Sequence, residues 1–246
     1  MFVLGGIGWL AWASAALGFW SGVLESPPLA GNVVRFELTG TALGCGIGFT
    51  AMALWMAWDS KVGKLRDREK LLNQIAWTGA ERVLDVGCGR GLMLIGAAKH
   101  LTTGTATGID LWQEEDLSGN RPEAALENAE REGVADRIEI RTEDMRQLSF
   151  PDATFDVVVS RAAIHNLYAA DDRAKAVREI ARVLKPGGQA LIDDIRHEKE
   201  YRATFAANGC TEIRRLDSPV LALFVTLVTF GSLRPATLLV RKRTGN

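Results

Sequence analysis

The residues best placed to do chemistry lie in VLDVGCGRG, Val83 to Gly91, and in Asp110, which closes a second apolar run, ATGID, nineteen residues further on. A strand that feeds a glycine turn brings backbone close to a ligand, and residues without a Cβ permit that approach. The turn then opens a helix expected over 92–100, whose first N–H groups face the same ligand. An acid ending the next strand is placed to accept hydrogen bonds from a ribose diol. Asp85 stands before the turn, and Gly87, Cys88, Gly89 and Gly91 form it. Leu111 and Trp112 follow the acid, where they either cover a flat ring or pack as surface.

These residues need elements that carry them to one place. Strands are expected over 81–86, 105–110, 137–142, 155–160 and 189–195. Helices are expected over 121–132, with Pro122 tolerated in the first turn, and over 171–184, stopped by Pro186 and Gly187. A sixth strand and a seventh over 237–240 complete the sheet. Strands alternating with helices predict a mostly parallel α/β sheet with right-handed crossovers. Its ligand cleft lies beyond the carboxyl ends of the strands. At those ends stand Gly87 and Gly89, Asp110, Asp144, Ser160 with Arg161, and Asp194.

The turn reads D-x-G-x-G-x-G, not G-x-G-x-x-G, which favours S-adenosylmethionine over a dinucleotide. Over roughly 66–243 the chain resembles class I S-adenosylmethionine-dependent methyltransferases, particularly those related to ubiquinone/menaquinone and arsenite methyltransferases. Besides VLDVGCGRG and Asp110, the resemblance rests on RTEDM (141–145), FPDATFDVVVS (150–160) and REIARVLKPGGQALIDDI (178–195). It implies a Rossmann-like fold with a seven-stranded, mostly parallel sheet. It also implies that the glycine turn holds the methionine part of the cofactor and that Asp110 binds the ribose hydroxyls. Asp144, with the backbone of Met145, then holds the adenine amino edge. Asp85 orients the turn and the cofactor's ammonium, and Ser160 lines the same cleft.

Methyl transfer needs proximity, orientation and a dry site, with a general base only where the acceptor must lose a proton. His165, beside Asn166 and after Arg161, is the candidate base or acceptor contact; the alternative is that it simply packs in its loop. His197 reads as solvated and His100 as a helix terminus. Cys45, Cys88 and Cys210 are far apart, without metal-ligand spacing, so no metal is expected and the thiols read as reduced. Cys88 reads as structural. Arsenite as substrate is disfavoured, since Cys88 and Cys210 lack a clustered cysteine set.

A net charge of −1 from 29 basic and 30 acidic residues, with no basic aromatic-rich stretch, argues against nucleic acid as a partner. Polarity is uneven. Residues 1–60 carry only Glu25, Arg35, Glu37 and Asp59 as charges, and five of the seven tryptophans. Within them, 2–24 and 38–58 are free of charge, 23 and 21 residues long, against about 20 needed to cross a bilayer. They are expected to form a transmembrane hairpin (1–60), followed by a juxtamembrane helical linker (61–80) and the catalytic domain (81–246). Lys61, Lys64, Arg66, Arg68 and Lys70 follow the second run, which places the catalytic domain in the cytoplasm, beneath the inner (plasma) membrane. Gly40, Gly44 and Gly48, with Ser14, Gly18 and Gly22, are the faces expected to pack the spans together or to form a homodimer. Residues 219–233 are uncharged but too short for an ordinary span, so they are either sheet and connecting helix or a cap touching the membrane.

The expected function is therefore a membrane-tethered methyltransferase for a small apolar or lipid-borne acceptor, such as a quinone precursor or lipid amine, with membrane lipids as surroundings. Small thiols such as sulfide or methanethiol are the alternative acceptors. A non-catalytic S-adenosylmethionine-binding membrane module is the alternative of another class.

Overall fold

The computed structural model describes residues 1–25, 33, 35–58, 62–113 and 118–244. They divide into two compact units, Met1–Asp67 and Arg68–Asn246. Asp59 and Lys61, counted above among the charges, lie outside the described residues.

The first unit corrects the expected hairpin. Helix α1 runs Phe2–Ala16, followed by strands β1 (Val23–Glu25) and β2 (Arg35–Glu37), and by helix α2 (Thr39–Trp58). The first apolar run thus does not stay helical to Leu24. Gly18 and Gly22 take φ of +79° and +68°, and Trp20 folds back to donate to Ser14 Oγ at 2.9 Å. Val23 and Leu24 pair instead with Glu37 and Phe36, and Arg35 meets Glu25 at 2.8 Å. At 15 residues α1 is roughly 22 Å long, short of a hydrocarbon core of about 30 Å. Among the described residues one helix, α2, is long and apolar enough to cross a membrane.

The two helices do pack through glycine, but not through the expected faces. Gly40, Gly44, Gly48 and Gly18 have nothing within 4 Å of where a Cβ would stand. Contact is made by Gly5, Gly8 and Gly46: a Cβ on Gly8 would lie 2.6 Å from the Gly46 amide nitrogen and 2.9 Å from the Ala42 carbonyl. Of the expected trio on the first run, Gly22 packs against the Thr39 side chain and Ser14 bonds within its own helix.

The second unit is a sheet with helices on both faces. After α3 (Lys64–Leu72), which straddles the boundary between units, come β3 (Arg82–Val86), α4 (Leu92–Lys99), β4 (Thr105–Asp110), α5 (Pro122–Arg131) and β5 (Ile138–Thr142). Then follow β6 (Phe155–Arg161), α6 (Ala170–Val183), β7 (Leu184–Asp194), α7 (Glu198–Ala207), β8 (Cys210–Arg215), α8 (Pro219–Val228) and β9 (Ala236–Lys242). The order β5-β4-β3-β6-β7-β9-β8 is parallel throughout except for β9, which runs antiparallel to both neighbours. Alternation along each buried strand feeds two cores: Leu84, Val86 and Val158 join α6 and α7, while Val83, Val157 and Val159 join α4 and α5.

Three expected boundaries move. The juxtamembrane helix expected within 61–80 stops at Leu72, because Trp77 turns back to donate to the Leu72 carbonyl at 2.9 Å and stacks on His100. Strand β7 begins at Leu184 rather than Gln189, with its KPGG segment extended as an irregularity in the pairing with β6. Residues 219–228 form a ten-residue helix, and β9 keeps its place in the sheet.

Gly8→Ala should destabilise the first unit by about 1–3 kcal/mol, since backbone lies on both sides of the new methyl. Gly44→Ala should be neutral or stabilising by up to about 1 kcal/mol through helix propensity. Thermal unfolding in detergent followed by circular dichroism checks this, and equal midpoints for both variants would reject the packing.

Candidate active site

The glycine turn leaves β3 with Gly87, Gly89 and Gly91 all at positive φ (73°, 51° and 86°), a backbone other residues rarely adopt. Its amides are largely spent within the fold. Gly87 and Cys88 both donate to the Ile109 carbonyl (2.9 and 3.0 Å), and Gly91 donates to Cys88 (2.8 Å) while capping α4. Gly87 is required by its neighbours as much as by any ligand, because a Cβ there would overlap the Cβ of Ala163 in the loop after β6. Cys88 is buried with its sulfur against Gly108, and burial pushes its thiol far up, so it is packing and not a nucleophile.

The remaining turn amide, Gly89, donates to Asp110 Oδ2 at 2.9 Å. Asp110 Oδ1 accepts the Trp112 amide (2.8 Å) and Asn120 Nδ2 (3.2 Å). A carboxylate offers about four acceptor positions, so one remains for a ligand. Asn120 is buried with its own Oδ1 unpartnered, which makes it a second polar group at this acid that sequence reading missed. Its position, ten residues past Asp110 in a loop, carries no sequence signal. Trp112, at φ 61°, reaches across to donate from its indole to Thr142 Oγ1 at 2.8 Å, while Leu111 is exposed.

Asp85 is the electrostatic anomaly of the turn. It is 1% exposed and neither oxygen has a hydrogen-bond partner. Burial pushes its carboxyl up to about 8, with the Asp110 charge adding to the shift; the Leu94 amide at the start of α4 opposes it without forming a full bond. Asp144, by contrast, is forked by Arg146, at 2.6 Å from Nη2, which holds it below the usual carboxylate range; Arg146 extends to Asp172 at 3.0 Å. Met145 packs on the core, with its Cε close to the Gly87 turn. Ser160 is buried and its hydroxyl donates to the Val86 carbonyl at 2.8 Å, tying β6 to β3.

His165 sits two residues beyond Ala163, in a short 3-10 turn (Ile164–Asn166), and its Nδ1 lies 2.5 Å from Asp194 Oδ1. Asp194, at the end of β7 and 5% exposed, also accepts the His165 amide (3.1 Å), the Ile195 amide (2.8 Å) and the Tyr201 hydroxyl (3.0 Å). Burial and Asp194 raise the Tyr201 hydroxyl, which stays a donor. A carboxylate only accepts, so the His165 proton facing Asp194 is on Nδ1, and in the neutral ring Nε2 is the acceptor. This pairing needs β6 beside β7 and is invisible along the chain. Arg161 instead pairs with Asp193 at 3.1 Å, and the Asn166 amide closes the 3-10 turn. His197 caps α7 and meets Glu200 at 3.0 Å. Among the described residues no cluster of three or more His, Cys, Asp or Glu could hold a metal.

Residues 84–192 match the model of a methyltransferase domain. The chain is 31% identical over 142 residues to 27-O-demethylrifamycin SV methyltransferase of Amycolatopsis mediterranei, an overlap of 56% of this chain and 48% of the relative. It is 35% identical over 125 residues to demethylmenaquinone methyltransferase of Lactiplantibacillus plantarum, covering 50% of this chain and 49% of that one. The chain thus spans under half the length of these curated relatives. Among solved structures, geranyl diphosphate methyltransferase in complex with S-adenosylmethionine shares the fold, with a TM-score of 0.56 at 17% identity over 73% of this chain and 85% of that one.

An acid whose folded pKa is raised keeps a proton that the unfolded chain has already lost. Asp85 therefore makes stability fall as pH rises from about 4 towards 8. Asp85→Asn should stabilise the ligand-free protein at pH 7–8 by on the order of 1–3 kcal/mol and have no such effect near pH 4. Melting curves at both pH values check it; a variant no more stable than the parent at pH 8 would reject a strained carboxyl.

Proposed function

Taking residues 84–192 as a methyltransferase domain whose cofactor is S-adenosylmethionine, we propose that the chain transfers a methyl group to a small apolar or lipid-borne hydroxyl or amine, with His165 as general base. One observation carries this: a histidine oriented by a buried carboxylate lies in the loop whose Ala163, two residues before it, packs against the glycine turn. The residues fit the cofactor. Asp85 lacks a cation, Asp110 keeps an acceptor position for a ribose hydroxyl, and Asn120 Oδ1 has no partner. When bound, S-adenosylmethionine supplies a methyl carbon already activated on a sulfonium.

The side chains then divide the work. Asp85 holds the positively charged end of the cofactor, and Asp110 with Asn120 fixes its ribose. His165 Nε2 would take the acceptor's proton as the acceptor atom displaces the sulfur from the methyl carbon, the C–S electron pair staying on sulfur, and Asp194 would stabilise the resulting imidazolium. Tyr201 and the Ile195 amide hold Asp194 in place. A base suits an acceptor that ionises poorly at neutral pH, which favours a hydroxyl or amine over a small thiol. The name of one relative, with 27-O-demethylrifamycin SV as its acceptor, supports a hydroxyl, and that of another, acting on demethylmenaquinone, supports an apolar acceptor. Helix α2, if it spans, tethers the domain to a membrane, where apolar acceptors concentrate.

His165→Ala should lower kcat by 10²–10⁴-fold with cofactor affinity unchanged, and Asp194→Asn should lower kcat by disturbing the tautomer. Labelled cofactor incubated with a membrane extract, with products read by mass spectrometry, measures this; full turnover in His165→Ala would remove the base. Separately, Asp110→Ala should weaken cofactor binding about tenfold to a hundredfold by calorimetry, since a charge-assisted acceptor is lost. Unchanged affinity there would sink the assignment of the cleft.

A further inference from the structure

Helix α8 is amphipathic the wrong way round. Val220, Leu223, Phe224, Leu227 and Val228 recur at helical spacing on one face, and all are exposed, Leu227 by 65%. Phe230, just past the helix, is 98% exposed. The inward side holds Ala222 at 8% exposure and Thr226, whose hydroxyl bonds back to the Ala222 carbonyl. Surface helices of globular proteins normally turn their large apolar residues to the core.

Beside this face lies a groove of about 700 Å³ whose lining includes Arg196, Lys199, Leu223 and Arg234. The acids of that groove are already matched: Glu198 meets Arg215 and Arg202, and Glu200 meets Arg173 and His197. Among the described residues Arg196, Lys199 and Arg234 make no ion pair, and Arg196 donates only to the Ser232 carbonyl. An apolar stripe rimmed by unmatched cations is the pattern of a helix lying in the face of an anionic bilayer. At ten residues it lies in the interface and does not cross it. A second copy of this chain fits worse, because a two-fold contact would bring the same cations together.

We propose that α8 and its cationic rim dock on an anionic lipid surface. The docking face opens onto the catalytic edge of the sheet, since the Arg234 amide donates to the Ile195 carbonyl, one residue past Asp194. It draws on the tether reading of α2 only for local concentration.

The test uses the full chain with Cys45→Ser, in nanodiscs of phosphatidylcholine with or without phosphatidylglycerol. Cys88 and Cys210 are buried, so a fluorophore placed at Phe224→Cys reports alone. Nitroxide-labelled lipid should quench it several-fold more than a fluorophore at Glu130→Cys on exposed α5. Arg196→Gln and Arg234→Gln should each lower the docked-to-undocked ratio about fivefold in the anionic discs. Cofactor affinity, measured on the same variants, should hold and so report an intact fold. A label at 224 that is shielded yet unquenched, or shielded in proportion to protein concentration, means that protein covers the face and overturns the proposal. Quenching at 224 no greater than at 130 also overturns it while leaving the transferase and tether readings standing. A chain that stays off the discs altogether overturns docking and tether together.

Discussion

The arrangement depends on one close contact, that of Gly87 with Ala163. Strand order puts β6 beside β3, and the Ser160 hydroxyl bonded to the Val86 carbonyl locks the two strand ends level. The turn after β3 and the loop after β6 can then touch only where no side chain intervenes, and glycine at 87 leaves that space. Through this contact the loop that leads to His165 is held against the turn that follows Asp85, and a larger residue at either position would push the two apart.

The parallel core was legible because buried parallel strands read as continuous apolar runs bounded by glycine. Residues 105–110 needed no revision, and Asp110 stands at the end of its strand as expected. What escaped were relations between strands. Asp194 was visible as a strand-end acid, but its bond to His165, 29 residues away, exists only through β6–β7 adjacency. Asn120 and Tyr201 had no signal, since an asparagine in a loop and a tyrosine in a helix fit many roles.

The N-terminal unit shows the opposite failure. Composition made 2–24 look like one span, yet two glycines at positive φ and a tryptophan folded onto the preceding turn end the helix at Ala16. Glycine spacing identified residues that share a face without saying which face is used. Gly8 and Gly46 were selected instead, where Trp9 packs over Gly46 and donates to Thr50 at 3.1 Å. Spacing is a property of one helix, while packing is a property of two.

Two acids near the strand ends differ in how far they are satisfied. Asp85 is buried without a partner, a condition that lowers stability at neutral pH and that a neutral side chain or a bound cation would relieve. Asp194 is the converse, a carboxylate fully satisfied by four donors. One acid is short of partners, and the other is saturated and fixes the orientation of a histidine ring. Because β9 runs against its neighbours, the chain leaving α8 re-enters the sheet on this same edge, with Thr237 bonded to Asp193 at 2.7 Å. The chain from the apolar helix therefore passes into β9, which is hydrogen-bonded to the strand that carries Asp194.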